Sequence, residues 1–474
     1  MRHDPRAFVA NAREAIADER LHGAIVRTTG NAERKRSAAV ANFTQFEAAR
    51  DRGVAIRDHV LANLAGYLAE FERNATDAGA IVHYAQTADE ACQIVLDICR
   101  TERAQRVTRV KSMLGEEIGI PHALDAAGIE RIETDLAEHI IQLAGDPPSH
   151  IVWPALHRTR AEIADLFRRY HHEAQANDEV ITLVQSARHE LRQKFLSADI
   201  AISGANFLVA DSGAICTVTN EGNAELSITP ARVHIVTAGI EKLVPSMGHA
   251  MALLRLLVRS ATGAEITQYT SFYRGGRRTP DADGPQTMHI VLVDNGRTRM
   301  RSDGLVDMLR CIRCGACMNH CVVYQHIGGH AYGGVYPGPM GAVITPALDG
   351  IAASRDLVQA CTLNGKCQEV CPVRIPLPSL LRLWRNRSWR EGLEPQAVRA
   401  GLGVWAFAAN RPWLYHALIT LALPVIRRYG KQGWITAMPL AGGWTASRDL
   451  PMPARRSFMR QYKTRHPSAG TSTQ

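Results

Sequence analysis

Residues 311–321 read CIRCGACMNHC, and residues 361–372 read CTLNGKCQEVCP. The two runs align cysteine for cysteine except at one place, where Asn364 stands opposite Cys314. The first run has the spacing C-x2-C-x2-C-x3-C. Three thiolates so placed wrap one iron–sulfur cube from a tight loop, and the fourth points away toward a second cube. Zinc is the rival reading. Zinc sites use one or two C-x2-C knuckles separated by a dozen or more residues, and four cysteines within eleven residues would crowd one tetrahedron. The repeated runs therefore favour two iron–sulfur clusters and a ferredoxin-like fold around them.

Cross-ligation, in which the last cysteine of each run serves the other cluster, assigns the ligands. Cys311, Cys314, Cys317 and Cys371 take a first cluster, read as 4Fe–4S. Cys321, Cys361 and Cys367 take a second, and Asn364 stands at its fourth corner. Three outcomes stay open there. The second cluster is a three-iron cube; or a four-iron cube with water, a small molecule, His326 or His330 on the fourth iron; or Cys361 is no ligand. An amide binds iron weakly beside thiolate. The reading preferred is an oxygen-labile 4Fe–4S site with 3Fe–4S as its oxidation product. Between the runs lies HIGGHAYGGVYPGPMGAVITP, His326–Pro346. Its glycines and prolines predict a loop without long regular elements, able to bring backbone N–H groups close to cluster sulfides.

The remaining composition bounds the class. At 474 residues, with 46% hydrophobic and 21% charged, the chain is globular and long enough for two or three domains. The net charge of +9 comes from scattered Lys and Arg matched by 46 acids, and no nucleic-acid module appears. The N-terminus MRHDPRAFVANAREAIADER lacks a secretory apolar core. The longest apolar run, Trp413–Ile426, falls short of the roughly 20 residues a membrane span needs, which predicts a buried or docking helix and no integral membrane protein. A cytoplasmic chain is expected, with membrane association through partners as the alternative. In that compartment clustered cysteines bind metal rather than pair. Cys92, Cys99 and Cys216 sit in apolar patterns and read as inert core.

Along the chain, 1–75 reads as a helical segment, with apolar spacing of three to four in Ala38–Arg50 and His59–Arg73. Residues 76–297 read as an α/β domain. β-Branched runs at Ala80–Tyr84, Arg106–Lys111, Arg131–Thr134, Ile200–Ser203, Ala214–Thr219, His234–Ala238 and His289–Asp294 alternate with helices such as Ala88–Thr101 and Asp178–Ser197. That alternation predicts a mostly parallel sheet with helices outside. Residues 300–385 form the two-cluster domain, and 386–474 a helical C-terminal segment with a polar tail. The helix pair 401–429 suits docking, with Trp405, Phe407, Trp413 and Tyr415 on a partner face or in a core.

In the α/β domain, GANFLVADSGAICTVTNEGN puts polar groups at both ends of an apolar strand. Asn206 and Glu221 are candidate ligand-pocket residues, because the carboxyl ends of parallel strands form such sites. Lys111 at a strand end is a candidate anion binder. Ser112, Glu116 and Glu117 read as a helix N-terminal signal. His171–His172 reads as a solvated helix end, with a metal or substrate site as the alternative. Arg277 and Arg278 read as a surface loop or an anion site. No G-x-G-x-x-G follows a strand and no P-loop occurs, so no nucleotide or flavin is placed on this chain.

Taken together, CIRCGACMNHC, IGGHAYGGVYPGPMGAV, VTRVKSMLGEEIG, ISGANFLVADSGAICTVTNEGN and GGWTASRDLPMPARRSF resemble the iron–sulfur subunit of the bacterial lactate-utilisation system, over nearly the whole chain. Some members of that family also carry LNG at the Asn364 position. The resemblance implies a LUD domain, of the sugar-phosphate isomerase and CoA-transferase group. It also implies a part in oxidising L-lactate to pyruvate, passing electrons to an unknown acceptor. The implied partners are a second cysteine-rich subunit and a small LUD subunit. A different class of function is a redox or oxygen sensor whose LUD module binds a ligand.

Overall fold

Six short runs of Val, Ile and Ala build one parallel sheet. Its strands are β1 (Ala80–Ala85), β2 (Arg106–Arg109), β3 (Glu130–Glu133), β4 (Ile200–Gly204), β7 (Val233–Gly239) and β10 (Thr287–Val293), in spatial order β1-β10-β7-β4-β2-β3. Every pairing in it is parallel, for example Val233 against both Ile200 and Thr287. Side chains alternate between its two faces. Val291 and Val293 of β10 join Val95, Cys99, Val107 and Leu124 on one side. Met288, Ile290 and Leu292 join Val60, Phe71 and Leu208 on the other. Both faces are thus apolar and covered by helices, as a parallel sheet requires. The expected α/β architecture is present.

A second sheet was not anticipated, although one of its strands was. The short strands β5 (Phe207–Val209), β6 (Ala214–Thr219), β8 (Leu243–Val244) and β9 (Tyr269–Tyr273) form a mixed sheet in the order β8-β5-β6-β9. Of these, β6 shows a pattern in the sequence, and β5 and β8 are too short to carry one.

In this computed structural model, residues 4–172, 178–439, 445 and 448–466 are described. They fall into two compact units, Met1–Glu391 and Gly392–Gln474. In the first, four helices precede the sheet: Phe8–Ala17, Glu19–Ala41, Phe46–Ala62 and Leu64–Asp77. The periodic runs Ala38–Arg50 and His59–Arg73 are each broken, at Asn42–Gln45 and at Asn63. The apolar period continues across both breaks, so pattern alone did not reveal them.

The glycine- and proline-rich stretch corrects the sequence reading. It contains a 12-residue helix, Gly338–Asp349, with Pro346 inside it and every residue from Gly338 to Ala347 buried. Pro339 sits at the start, where its missing N–H costs nothing. Tertiary packing outweighs the poor propensity of the rest. The glycines meet protein backbone. A Cβ on Gly341 would lie 1.5 Å from the Tyr336 carbonyl oxygen, and one on Gly329 1.8 Å from that of Ser149.

In the second unit, helices Gln396–Ala409 and Pro412–Arg427 precede a small ribbon pairing Trp434–Ile435 with Leu450–Pro451, then helix Phe458–Arg465. Among the described residues no helix is long and apolar enough to cross a membrane. Helix Pro412–Arg427 buries none of its residues, so of the two expectations for it the buried one is excluded. Part of the segment 442–458 and all of the polar tail from 467 lie outside the described residues.

Candidate functional site

The two cysteine runs fold into matching loops. Arg313 and Leu363, two residues after the first cysteine of each run, have φ of 61° and 57°; Gly315 and Gly365 have 75° and 85°. Short helices follow both, Ala316–Asn319 and Lys366–Glu369. Left-handed residues at these places turn backbone N–H groups inward toward sulfur. Arg313 N donates to Cys311 Sγ at 3.4 Å, Leu363 N to Cys361 Sγ at 3.3 Å and Ile375 N to Cys371 Sγ at 3.4 Å.

The seven cysteines divide into two neighbourhoods. Cys311, Cys314, Cys317 and Cys371 line one small cavity, closed by Met308, Ile312, Met340 and Ile375. Burial, then the negative charge of Cys371, pushes the Cys314 thiol up to about 12; burial and the other three raise Cys317 as well. Cys321, Cys361 and Cys367 form the second neighbourhood. Burial, then Cys361 and Cys321, pushes the Cys367 thiol up to about 12. Buried thiols that repel one another become thiolates only where a strong positive centre compensates. Among the described residues no three His, Cys, Asp or Glu converge to hold a single ion. The sulfurs surround a space instead.

Asn364 occupies the fourth corner of the second group and is exposed, whereas Cys314 is buried. Its Oδ1 accepts from Lys366 N at 3.1 Å, closing the same turn that Ala316 N closes on Cys314. The substitution keeps the loop and removes the thiolate. Neither histidine considered for that corner is directed there. His330 Nε2 donates to the Pro147 carbonyl at 2.8 Å, and His326 Nδ1 lies 2.7 Å from the Val322 carbonyl.

Several residues that the sequence did not single out hold these loops. Arg50 donates to the Cys371 carbonyl through Nη2 at 2.8 Å and Nε at 3.2 Å, and to the Glu369 carbonyl at 2.8 Å. Arg36 Nη2 donates to the Val370 carbonyl at 2.9 Å. Arg57, 1% exposed, donates to the carbonyls of Leu243, Leu309 and Glu241. Tyr332 is buried beside Cys321 and Cys361. The spacing Arg50, Gly53, Arg57 on one helix face was the available signal, since arginine on a face with Ile56 and Val60 requires buried acceptors.

The three pocket candidates of the α/β domain come together. Lys111, Asn206 and Glu221 line one cavity of about 360 Å³ at the carboxyl ends of β2, β3, β4 and β7. Lys111 Nζ donates to the Val152 carbonyl at 2.9 Å, Asn206 Oδ1 accepts from Val218 N at 3.1 Å and Glu221 Oε2 from Leu136 N at 3.1 Å. Burial, then Asp135, raises the Glu221 carboxyl. Ser112 caps its helix by accepting from Gly115 N at 3.1 Å, while Glu117 is taken by Arg297 at 2.8 Å. Lys242 and Arg313, both missed, line the cavity too. Arg313 lies over the Tyr336 ring at 4.5 Å and 3.8 Å from Glu241, so the residue between Cys311 and Cys314 is also a wall of this pocket.

The remaining candidates are structural. His171 is buried between Phe167 and His139, and His172 pairs with Glu190 at 3.0 Å. Arg277 and Arg278 are both exposed, and Arg278 lies 3.6 Å from Asp281 within the turn. Cys99 and Cys216 are fully buried, and Cys92 donates to the Ile118 carbonyl.

A model described as "LUD domain" matches residues 68–293, and one described as "4Fe-4S dicluster domain" matches 307–375. The chain is 40% identical over 461 residues to "Uncharacterized electron transport protein YkgF" of Escherichia coli (strain K12), covering 96% of each. It is 39% identical over 461 residues to "Lactate utilization protein B" of Shouchella clausii, covering 97% of each, and 38% identical over 467 residues to that of Bacillus velezensis, covering 98% of each.

Proposed function

The chain belongs to the lactate utilization protein B family, and on that premise we propose that it is the iron–sulfur electron-transfer subunit of a complex that oxidises L-lactate to pyruvate. The division of seven cysteines into a group of four and a group of three carries the reading. Cys311, Cys314, Cys317 and Cys371 hold a 4Fe–4S cluster; Cys321, Cys361 and Cys367 hold a second through three thiolates. Bound there, the clusters supply one-electron uptake and release. The chain's own residues keep the loops rigid, through Arg36 and Arg50 on the carbonyls around Cys371. They also donate hydrogen bonds to sulfur, through the loop N–H groups. Such donors make a cluster easier to reduce.

The fourth corner of the second cluster faces solvent at Asn364, so a four-iron form there carries a non-protein ligand and loses one iron on exposure to air. That exposed corner also favours the second reading, a redox or oxygen sensor. A second cysteine-rich subunit and a small LUD subunit complete the complex in the first reading.

Anaerobic purification with iron and sulfide assay, followed by EPR and Mössbauer spectroscopy of parent and Asn364→Cys, tests the ligand set. Two distinct clusters in the parent and two alike in the variant are expected. Zinc, or identical air-stable clusters in both proteins, overturns it. Dye reduction driven by L-lactate in the co-expressed complex, lost when the cluster cysteines are replaced, separates relay from sensor.

A further inference from the structure

Two lysines of the 360 Å³ cavity have no carboxylate partner. Arg297 is taken up by Glu117 at 2.8 Å and by Glu241 at 2.5 Å. Asp135 caps the helix Leu136–Ala144, accepting from Ala137 N and Glu138 N, and Glu221 accepts from Leu136 N beside it. Lys111, Lys242, Arg297 and Arg313 line the cavity with Asp135, Glu221 and Glu241, and Glu117 and Glu241 take up Arg297. The two lysines are the unmatched pair. Lys111 bonds one backbone carbonyl, and Lys242 makes no hydrogen bond or ion pair among the described residues. Burial, then Arg313, pulls the Lys242 ammonium down to about 8, and a bound anion would raise it again.

We propose that this cavity binds a monovalent carboxylate bearing a hydroxyl or carbonyl on the adjacent carbon, with Lys242 and Lys111 taking the carboxylate. This deepens, and rests on, the reading of the chain as part of a lactate-oxidising system. Two lysines without a carboxylate partner suit a carboxylate ligand. A dianionic phosphate would face Glu221 and Asp135 with too little compensation. Asn206 and Glu221 supply partners for the neighbouring oxygen. The cavity is larger than a three-carbon acid, and Leu257 and Val258 give it an apolar wall, so longer 2-hydroxy acids also fit. Arg313 joins the site to the first cysteine loop, so an anion arriving beside it makes the cluster there harder to reduce.

Calorimetric titration of the anaerobic, cluster-loaded full chain tests this, with L-lactate, pyruvate, 2-hydroxybutyrate, acetate and inorganic phosphate as probes. Binding of the 2-hydroxy and 2-oxo acids is expected, at least tenfold weaker in Lys242→Met and in Lys111→Met at unchanged iron content, with partial rescue by Lys242→Arg. Redox titration followed by EPR should show the first cluster's midpoint moving negative on adding L-lactate. Phosphate or acetate binding as tightly as lactate, or lysine variants binding like the parent, overturns the proposal. Protein that holds both clusters but binds no acid sinks the cavity assignment alone; protein without clusters sinks the electron-transfer reading.

A separate observation concerns the second unit. Helix Gln396–Ala409 buries only Ala408, and helix Pro412–Arg427 buries nothing. Val404, Trp405, Phe407, Trp413 and Leu421 are more than half exposed. No Asp or Glu occurs from 395 to 440, while Arg399, Arg411, Arg427, Arg428 and Lys431 do. Apolar and aromatic exposure with purely basic charge matches an anionic lipid surface, on which such helices lie in the interface plane. The geometry points to this helix pair as a peripheral anchor on an anionic bilayer. Flotation of the anaerobic full chain with phosphatidylglycerol-containing or pure phosphatidylcholine vesicles tests it. Co-flotation with the anionic vesicles, weakened by salt and lost in Trp413→Glu and Leu421→Glu, is expected. Failure to float with them, or equal binding to neutral vesicles, overturns it.

Discussion

Replacing Arg57 by Met removes a buried cation that ties three parts of the first unit together. The guanidinium is 1% exposed and donates to the Leu243 carbonyl at 3.0 Å, the Leu309 carbonyl at 2.7 Å, and the Glu241 carbonyl. It thus joins helix Phe46–Ala62, the start of β8 and the turn just before Cys311. Met fills most of the volume and satisfies none of the three acceptors. Each hydrogen bond to a charged donor nets about 1.5–3 kcal/mol, and each stranded carbonyl costs about 1–3 kcal/mol. Against that, the variant no longer desolvates a guanidinium, which returns several kcal/mol. The balance is a loss of about 3–5 kcal/mol, the range found when one side of a buried charged contact is deleted. In a unit of this size that lowers the apparent melting temperature by roughly 5–10 °C. Unfolding of a cluster protein is irreversible, so parent and variant are compared anaerobically at one scan rate by tryptophan fluorescence. Iron release to a chelator should accelerate as well, because Leu309 lies two residues before Cys311. Arg57→Lys should not rescue, since an ammonium lacks the planar fork. A variant melting within about 1 °C of the parent would refute the reasoning, because such surface-like tolerance is incompatible with three stranded carbonyls.

Gly341→Ala puts a Cβ 1.5 Å from the Tyr336 carbonyl, so soluble yield should collapse; parent-like yield and melting would show that the close approach is absent. Tyr332→Phe removes a buried hydroxyl beside Cys321 and Cys361, so the second cluster's midpoint, read by EPR redox titration, should move negative while the first stays in place. Burial raises the Glu241 carboxyl, but Arg297, Lys242 and Arg313 outweigh it and hold it at about 2. A depressed folded value adds stability that is full above the unfolded value near 4.5 and is lost as pH falls toward 2. Arg297→Gln weakens that pull, so acid unfolding followed by fluorescence should begin at a higher pH than in the parent; an unchanged midpoint would exclude the pair as a source of acid stability.

The parts of this protein that were legible in the sequence are those whose signal is local. All six strands of the parallel sheet showed as β-branched runs, because burial on both faces demands unbroken apolar stretches. The cysteine spacing likewise encodes its own loop: the left-handed turns at Arg313 and Leu363 follow from packing three sulfurs around one space. Strands β5 and β8, of three and two residues, are too short to carry a period. Helix Gly338–Asp349 was hidden because its stability lies in what surrounds it, and Gly341, which read as a loop former, is there to let the Tyr336 carbonyl approach.

Arg313 shows most sharply what spacing omits. In the sequence it is filler between Cys311 and Cys314. In the fold its backbone N–H serves the Cys311 sulfur, while its guanidinium stacks on Tyr336 and faces Glu241 in the wall of the α/β cavity. A relay whose ligand pocket and cluster domain were independent would need no such residue, and an uncharged side chain would meet the loop's conformational demand as Leu363 does in the second run. A long cation there costs buried charge, which only a partner on the far side offsets. The asymmetry between the two runs therefore has a direction: the first loop, with four thiolates and Arg313, faces the cavity, and the second, with Asn364 exposed, faces solvent.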